Sequence, residues 1–186
     1  MKNSGKKILD TAERLFYRDG FGHVGVDTIR DESGCAKTTM YHHFGSKEKL
    51  IHEVLKYRDE RLRTSLQAFI GDEVCGREAV YKVFDWFHQR FIAQDFNGCL
   101  FVRAAAELDD EAKSIAIVHK RAVTDFICAK LQPDANARVI SEQLVVLLEG
   151  MVNIYTIYEA DTELCERYMA SSKETAKLIL DAQLGR

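Results

Sequence analysis

The chain has 186 residues, 46% of them hydrophobic and one of them proline, which suffices for one sizeable core or a small domain joined to a larger one and imposes few helix breaks. Five cysteines with no CxxC pair argue against a disulfide framework; they read as reduced small hydrophobes, with a redox sensor as the sharper alternative. The longest strongly apolar run, Leu144 to Leu148, is closed by Glu149, far short of the ~20 residues of a membrane span, and the basic start leads into an amphipathic segment rather than a signal-peptide core, so a soluble, cytoplasmic protein with no membrane partner is expected.

A net charge of −3 conceals a division. Residues 1–63 hold 13 Lys/Arg against 10 Asp/Glu, and the remainder hold 13 against 19. A basic head on an acidic body has the sign expected of a protein whose head meets phosphate.

The first helix starts at Ser4, a suitable N-cap, and stops at Gly20. Ile8, Leu9, Ala12, Leu15 and Phe16 give it one apolar stripe. After a Gly-rich connector come two short segments, 26–33 and 36–43, joined through Gly34 and Cys35. A fourth helix begins at Ser46 and turns Leu50, Val54, Leu55 and Leu62 inward. Beyond a loop at 71–76 the pattern lengthens, predicting helices over 77–95, 99–108, 110–131, 135–159 and 162–184, with turn chemistry at the joints. No segment has strand periodicity. The fold class is therefore all-α: an N-terminal three-helix helix-turn-helix domain over 1–50 and a larger helical ligand-binding and dimerisation domain over 51–186.

Residues 26–44 read as the helix-turn-helix. Two helices of two turns each are unstable alone, but the first and fourth helices offer them a surface, with Val26, Ile29, Cys35 and Met40 as the contacts and Gly34 as the turn. The second helix then presents Lys37, Thr38, Thr39, Tyr41 and His42, short or hydrogen-bonding groups suited to a major groove. Lys47 and Lys49 oppose the dipole of the helix they begin, which makes sense where they and the free N–H groups face a phosphate. His43, the neighbour of His42, lies about 100° round the helix and packs beside Phe44, so the pair does not converge on a metal.

At these residues a resemblance becomes specific. Ile8 to Ala12 with Leu15-Phe16, Gly20-Phe21, and above all the run from Lys37 to Leu50, with Thr39, Tyr41, His43, Phe44, Ser46, Lys47, Glu48 and Leu50 in register, resemble the N-terminal domain of the tetracycline-repressor (TetR) family. The resemblance implies a homodimeric transcription regulator with a DNA-binding head and a helical sensor body. It implies that Thr38 and Thr39 approach bases or nearby phosphates, while Tyr41, His42 and Lys47 hold the phosphate backbone of a double-stranded operator. Two positions depart from the pattern. Ala36 stands where Ser or Thr commonly caps the recognition helix, and Arg30 stands where a small residue usually lets the two helices cross closely.

In the body, Tyr81, Phe84, Trp86, Phe87, Phe91 and Phe96 form an aromatic-rich helix that is either core or the wall of a pocket. The candidate pocket for a small apolar or aromatic effector comprises Trp86, Phe87, Phe91, Phe101, Arg103, Glu107, Met151 and Tyr155. Arg103 and Glu107, at i and i+4, have mutual pairing as their plainer reading. His88, His119 and Asn153 are further polar candidates. The dimer face is expected on the last two helices, from Leu144, Leu147, Leu148, Tyr168, Ser172, Thr175 and Ile179. No ligand spacing supports a metal site, no cofactor is expected, and the absence of GxSxG, P-loop and dinucleotide fingerprints leaves an enzyme reading without support.

Overall fold

A computed structural model describes residues 3–158 and 161–184. Helices follow one another without a strand among these residues: α1 (Asn3–Asp19), α2 (Val26–Ser33), α3 (Lys37–Phe44), α4 (Lys47–Ile70), α5 (Gly76–Phe91), α6 (Leu100–Glu107), α7 (Asp110–Leu131), α8 (Ala137–Ile157) and α9 (Thr162–Gln183). The expected order is present throughout. The fifth helix stops at Phe91 rather than residue 95, because a turn folds Phe96 back until its ring meets that of Phe91 at 5.1 Å, a pairing that five residues of continued helix would prevent. The expected end of the eighth helix, residue 159, lies outside the described residues.

Compactness divides the chain elsewhere than at residue 50. One unit comprises the described residues up to Leu62 together with Cys99–His119; the other comprises Arg63–Gly98 and the described residues from Lys120 on. In the first unit the α1 stripe is buried against Ile29, Met40 and Phe44 of α2 and α3 and Leu50, Val54 and Leu55 of α4. The same core takes in Leu100, Phe101 and Ala104 of α6 and Ala112 and Ala116 of α7. The head is thus finished by residues a hundred positions along the chain. Their arrival changes the charge reading: with Arg103 and Lys113 against Glu107, Asp109, Asp110 and Glu111, the basic excess of the head vanishes over the unit as a whole. Any attraction for phosphate must come from where the charges lie.

Polar groups fix the geometry of this unit. Buried Glu13 of α1 accepts a bond from Arg58 of α4 at 2.8 Å and another from Arg61. The Arg58 guanidinium also lies 4.0 Å from the centre of the Tyr17 ring, a cation–π contact. Arg103 of α6 donates to the Tyr17 carbonyl at 2.6 Å. Asp109, the residue before α7, accepts from the Ala112 amide at 2.9 Å and from His52 at 2.9 Å. These two partners, with the amide first, hold the Asp109 carboxyl below the ordinary aspartate range. His119 bonds Asp59 at 2.7 Å and stacks on Phe101 with ring centroids 3.7 Å apart.

In the second unit α8 and α9 pack on each other and on α5. Val80, Val83, Phe84, Ile127, Ile140, Leu144, Leu148, Met169 and Leu180 form the interior. By length and a mean hydropathy of 1.2, α8 is long and apolar enough to cross a membrane, although no single run announces it. Here one side of α8, including Ile140, Leu144, Leu148, Met151 and Tyr155, supplies the core, and Arg138, Glu142 and Glu149 interrupt the rest.

Candidate functional site

The helix-turn-helix is built from local rules. α2 ends at Gly34, whose φ of +61° only glycine adopts without strain. The buried Ser33 hydroxyl accepts the Cys35 amide at 3.2 Å and fixes the exit from that turn. α3 starts from Ala36, which contributes no side-chain cap, as its sequence implies. α3 ends at Gly45, φ +81°, whose amide closes on the Tyr41 carbonyl at 2.9 Å. The Ser46 hydroxyl then accepts the Lys49 amide at 3.2 Å and opens α4.

Met40 and Phe44 turn into the core. Lys37, Thr38, Tyr41 and His42 are exposed at i, i+1, i+4 and i+5, one face of α3, with Thr39 half-buried beside them. His43 points the other way: its Nε2 lies 3.1 Å from the Ser4 hydroxyl, and its ring rests where a Cβ on Gly5 would meet it at 3.4 Å. Arg30 is exposed and bonded to Asp27 at 2.7 Å and Asp31 at 2.8 Å, so it does not enter the crossing of α2 and α3. Asp27 also draws the Lys37 ammonium to 3.5 Å.

One residue expected on phosphate has another task. Lys47 donates to the Phe21 carbonyl at 2.8 Å and ties the start of α4 to the connector after α1. A lysine stem is long enough to serve either end, and the nearer acceptor has it. Lys49 is exposed.

The eight pocket candidates fall in two units. Phe101, Arg103 and Glu107 belong to the first unit: Phe101 is core, Arg103 is bound to the Tyr17 carbonyl, and Glu107 is exposed. Trp86 and Met151 are buried in the second unit, with the indole N–H donated to Ser65 at 3.2 Å. Phe87 is half-buried, edge-on to Trp86 at 5.1 Å. Phe91 and Tyr155 do line a cavity, of about 480 Å³, together with Phe96, Cys165 and Glu166. Glu166 escaped the sequence reading because its relevance comes from pairing with His88 at 2.7 Å and Tyr155 at 3.2 Å, and neither spacing marks it. Asn153 is exposed, and no His/Cys/Asp/Glu group with metal-binding geometry occurs among the described residues.

The dimer candidates also divide. Leu144 and Leu148 are 0% and 1% exposed, so they are consumed by their own unit and have no area left for a partner. Ser172 is buried as well. Leu147, Thr175 and Ile179 are half-buried and Tyr168 is exposed. The large apolar residues left exposed on α8 are Val139, Val146 and Ile157, the last two 71% and 70% exposed, with Gln143, Gly150 and Asn153 between them on the same face, and α9 adds Tyr168 and Leu178.

Residues 8–54 match the family described as "Bacterial regulatory proteins, tetR family". The chain is similar to the HTH-type transcriptional regulator LmrA of Bacillus subtilis, 38% identical over 65 residues, which are 34% of this chain and 35% of LmrA. It is similar to the HTH-type transcriptional repressor KstR2 of Rhodococcus jostii, 38% identical over 55 residues, 28% of this chain and 27% of that one. These matches span about a third of each relative's length. A crystal structure of SCO4454, a TetR-family transcriptional regulator from Streptomyces coelicolor, shares the fold over 97% of this chain and 95% of its own, with a TM-score of 0.83 and 22% identity. From within α1 to the first turns of α4 the chain thus carries a DNA-binding domain of the TetR family of bacterial regulators, and its all-helical architecture is shared almost end to end with a solved regulator of that family.

Proposed function

We propose that the protein is a cytoplasmic DNA-binding transcription regulator, a repressor rather than an enzyme. It binds a near-palindromic operator as a homodimer and is released by a small apolar or aromatic molecule bound in the second unit. The observation that carries the reading is the exposed row on α3. Lys37, Thr38, Tyr41 and His42 share one face of a short helix whose other face is anchored by Met40 and Phe44. That row, with Thr39 and Lys49 at its edge, offers hydrogen-bonding groups to base edges and cations to phosphate. Lys47 acts one step back, by holding the start of α4.

The exposed apolar residues Val139, Val146 and Ile157 on one face of α8, with Tyr168 and Leu178 on α9, support the dimer, because large apolar side chains left uncovered together favour an interface. A two-fold dimer presents two copies of α3 to half-sites about one helical turn apart. Release by ligand needs a coupling of about 1–3 kcal/mol between cavity and operator.

The test is selection of operator fragments from random duplex DNA, followed by titration at several salt concentrations. A palindromic consensus bound with a steep negative log–log salt slope is expected. Binding without sequence preference would sink the reading. Equilibrium sedimentation of Val146→Lys is expected to give a monomer.

A further inference from the structure

The cavity of the second unit has a definite chemistry. One wall is aromatic: the rings of Phe91 and Tyr155 stack on each other with centroids 5.0 Å apart, and Phe96 continues the wall edge-on to Phe91 at 5.1 Å. Glu166 is the one carboxylate among the residues that line it, and none of them is Lys or Arg. Burial first, then the charge of Glu166, pushes the Tyr155 hydroxyl well above the ordinary phenol range, and burial likewise raises the Cys165 thiol. The lining therefore carries a single formal charge at neutral pH, and it is negative.

That charge is only half engaged. His88 and Tyr155 both bond the Oε1 atom of Glu166, at 2.7 and 3.2 Å, and Oε2 has no partner among the described residues. The carboxylate is held in place by two contacts on one oxygen and offers the other. Backbone dipoles agree in sign. α5 ends at the cavity with Phe91, and Tyr155 lies in the last turn of α8, so two helix C-termini, the negative ends, converge there. The helix start that could favour an anion, that of α9, is already spent: Asp161 accepts the Leu164 amide at 3.0 Å, and Glu163 sits in the first turn.

An aromatic wall, an oriented carboxylate oxygen and two helix C-termini recognise positive charge on an apolar body. We propose that the cavity binds a small organic cation, an alkylated ammonium carrying an apolar or aromatic group, with the aromatic wall of Phe91, Phe96 and Tyr155 on one side of it and Glu166 as its counter-ion. The inference rests on the reading of the second unit as the effector-binding part and narrows its effector from apolar to cationic.

Three probes of one size test it by calorimetry on the full chain: benzyltrimethylammonium, its uncharged isostere neopentylbenzene, and the anion phenylacetate. The cation is expected to bind about fivefold more tightly than the isostere, the ratio of a half-exposed cation–π and carboxylate site, and phenylacetate least. Glu166→Gln is expected to erase most of that preference while leaving isostere affinity within about twofold. Circular-dichroism melting checks that the variant folds. Phe91→Leu, which keeps Glu166 and its partners, is expected to weaken the cation more than the isostere. Equal affinity for cation and isostere, or tightest binding of phenylacetate, overturns the proposal. Operator titration without any probe keeps the two readings apart. Loss of cation preference with intact operator binding removes this inference alone, whereas a discriminating cavity in a protein with no operator removes the regulator reading and leaves the site.

Discussion

The two units solve different problems with different materials. In the first, the interior carries ions: Glu13 and Arg58 are 5% and 9% exposed and bonded to each other, and His119 and Asp59 are buried as a second pair. In the second, the interior is rings and aliphatic chains, and the ion pairs Lys173–Asp85, Arg138–Asp125 and Lys120–Glu149 lie at half-exposed surfaces. Apolar contacts are non-directional and tolerate a sliding helix. A buried carboxylate gripping Arg58, with Arg61 behind it, does not. Desolvation makes such pairs a poor source of net stability. What they add is direction: Glu13–Arg58 ties α1 to α4, His119–Asp59 ties α7 to α4, and α3 packs on α1 and α2. The unit that carries the helix-turn-helix uses directional bonds, and the unit that holds the cavity uses packing.

The largest effect expected from this contrast is at Glu13. Glu13→Ala strands a buried Arg58 and should cost about 3–5 kcal/mol in urea denaturation. Glu13→Leu combined with Arg58→Met should recover most of that loss, because the stranded charge is gone, while operator affinity stays reduced. Lys173→Ala, at an exposed pair of the second unit, should cost under about 1 kcal/mol. Equal losses at Glu13 and Lys173 would erase the distinction between the units.

Next in size is the exposed row itself. Tyr41→Ala and His42→Ala should each weaken operator binding by about 1–2 kcal/mol, roughly tenfold, with melting temperature unchanged because neither side chain is buried. Lys47→Ala should behave in the opposite way. It loses the bond to the Phe21 carbonyl, so stability falls by about 1 kcal/mol and the salt slope of operator binding is unaltered. A fall in that slope by about one unit would return Lys47 to the phosphate.

How much of this was legible in the sequence follows the same division. The order of the helices, the turn at Gly34 and the inward stripe of α1 are local facts, written in period and glycine placement. The destination of α6 is not: Leu100, Phe101 and Ala104 announce that a helix is buried, but no period says which core buries it. α8 carries large apolar residues on its exposed side as well, so Leu144 and Leu148 could not be told from Val146 and Ile157 until one side was filled. Lys47 shows the limit for polar groups, since an ammonium on a long stem suits a phosphate and a carbonyl equally. Glu166 has the same difficulty, because its meaning lies in partners 11 and 78 residues away.

The pH response should come from the start of α7. Asp109 has its carboxyl held below the ordinary aspartate value of 3.8 by the Ala112 amide and by His52. A depressed folded value means that its contribution is full above the unfolded pKa and is lost as pH falls through the folded one. The first unit should therefore loosen below about pH 4. Asp109→Asn, which keeps the cap and discards the charge, should flatten that limb of the stability–pH curve. An unchanged acid limb in the variant would assign the response to other carboxylates.

The smallest effect concerns Ala36, one of the two positions at which the head departs from the family's pattern. Ala36 already has the extended backbone of an N-cap, φ −60° and ψ 146°, and its carbonyl receives the Thr39 and Met40 amides at 2.9 and 3.2 Å. What α3 lacks is a side-chain oxygen for an amide of its first turn. Ala36→Ser supplies one with no change of backbone, because the site is exposed and nothing must move. A gain of about 0.5–1 kcal/mol is expected, visible as a rise of a few degrees in melting temperature. α3 is only eight residues long, so one cap is a sizeable share of what its own turns contribute, and the gain should appear as slower amide exchange confined to Lys37–Tyr41. Operator affinity should stay within about twofold, since the core contacts of Met40 and Phe44, rather than the cap, fix where the helix points. A variant that is more stable but binds its operator tenfold more weakly would show that fraying at the start of α3 is used in fitting the groove, and would make Ala36 a functional residue rather than a missing cap.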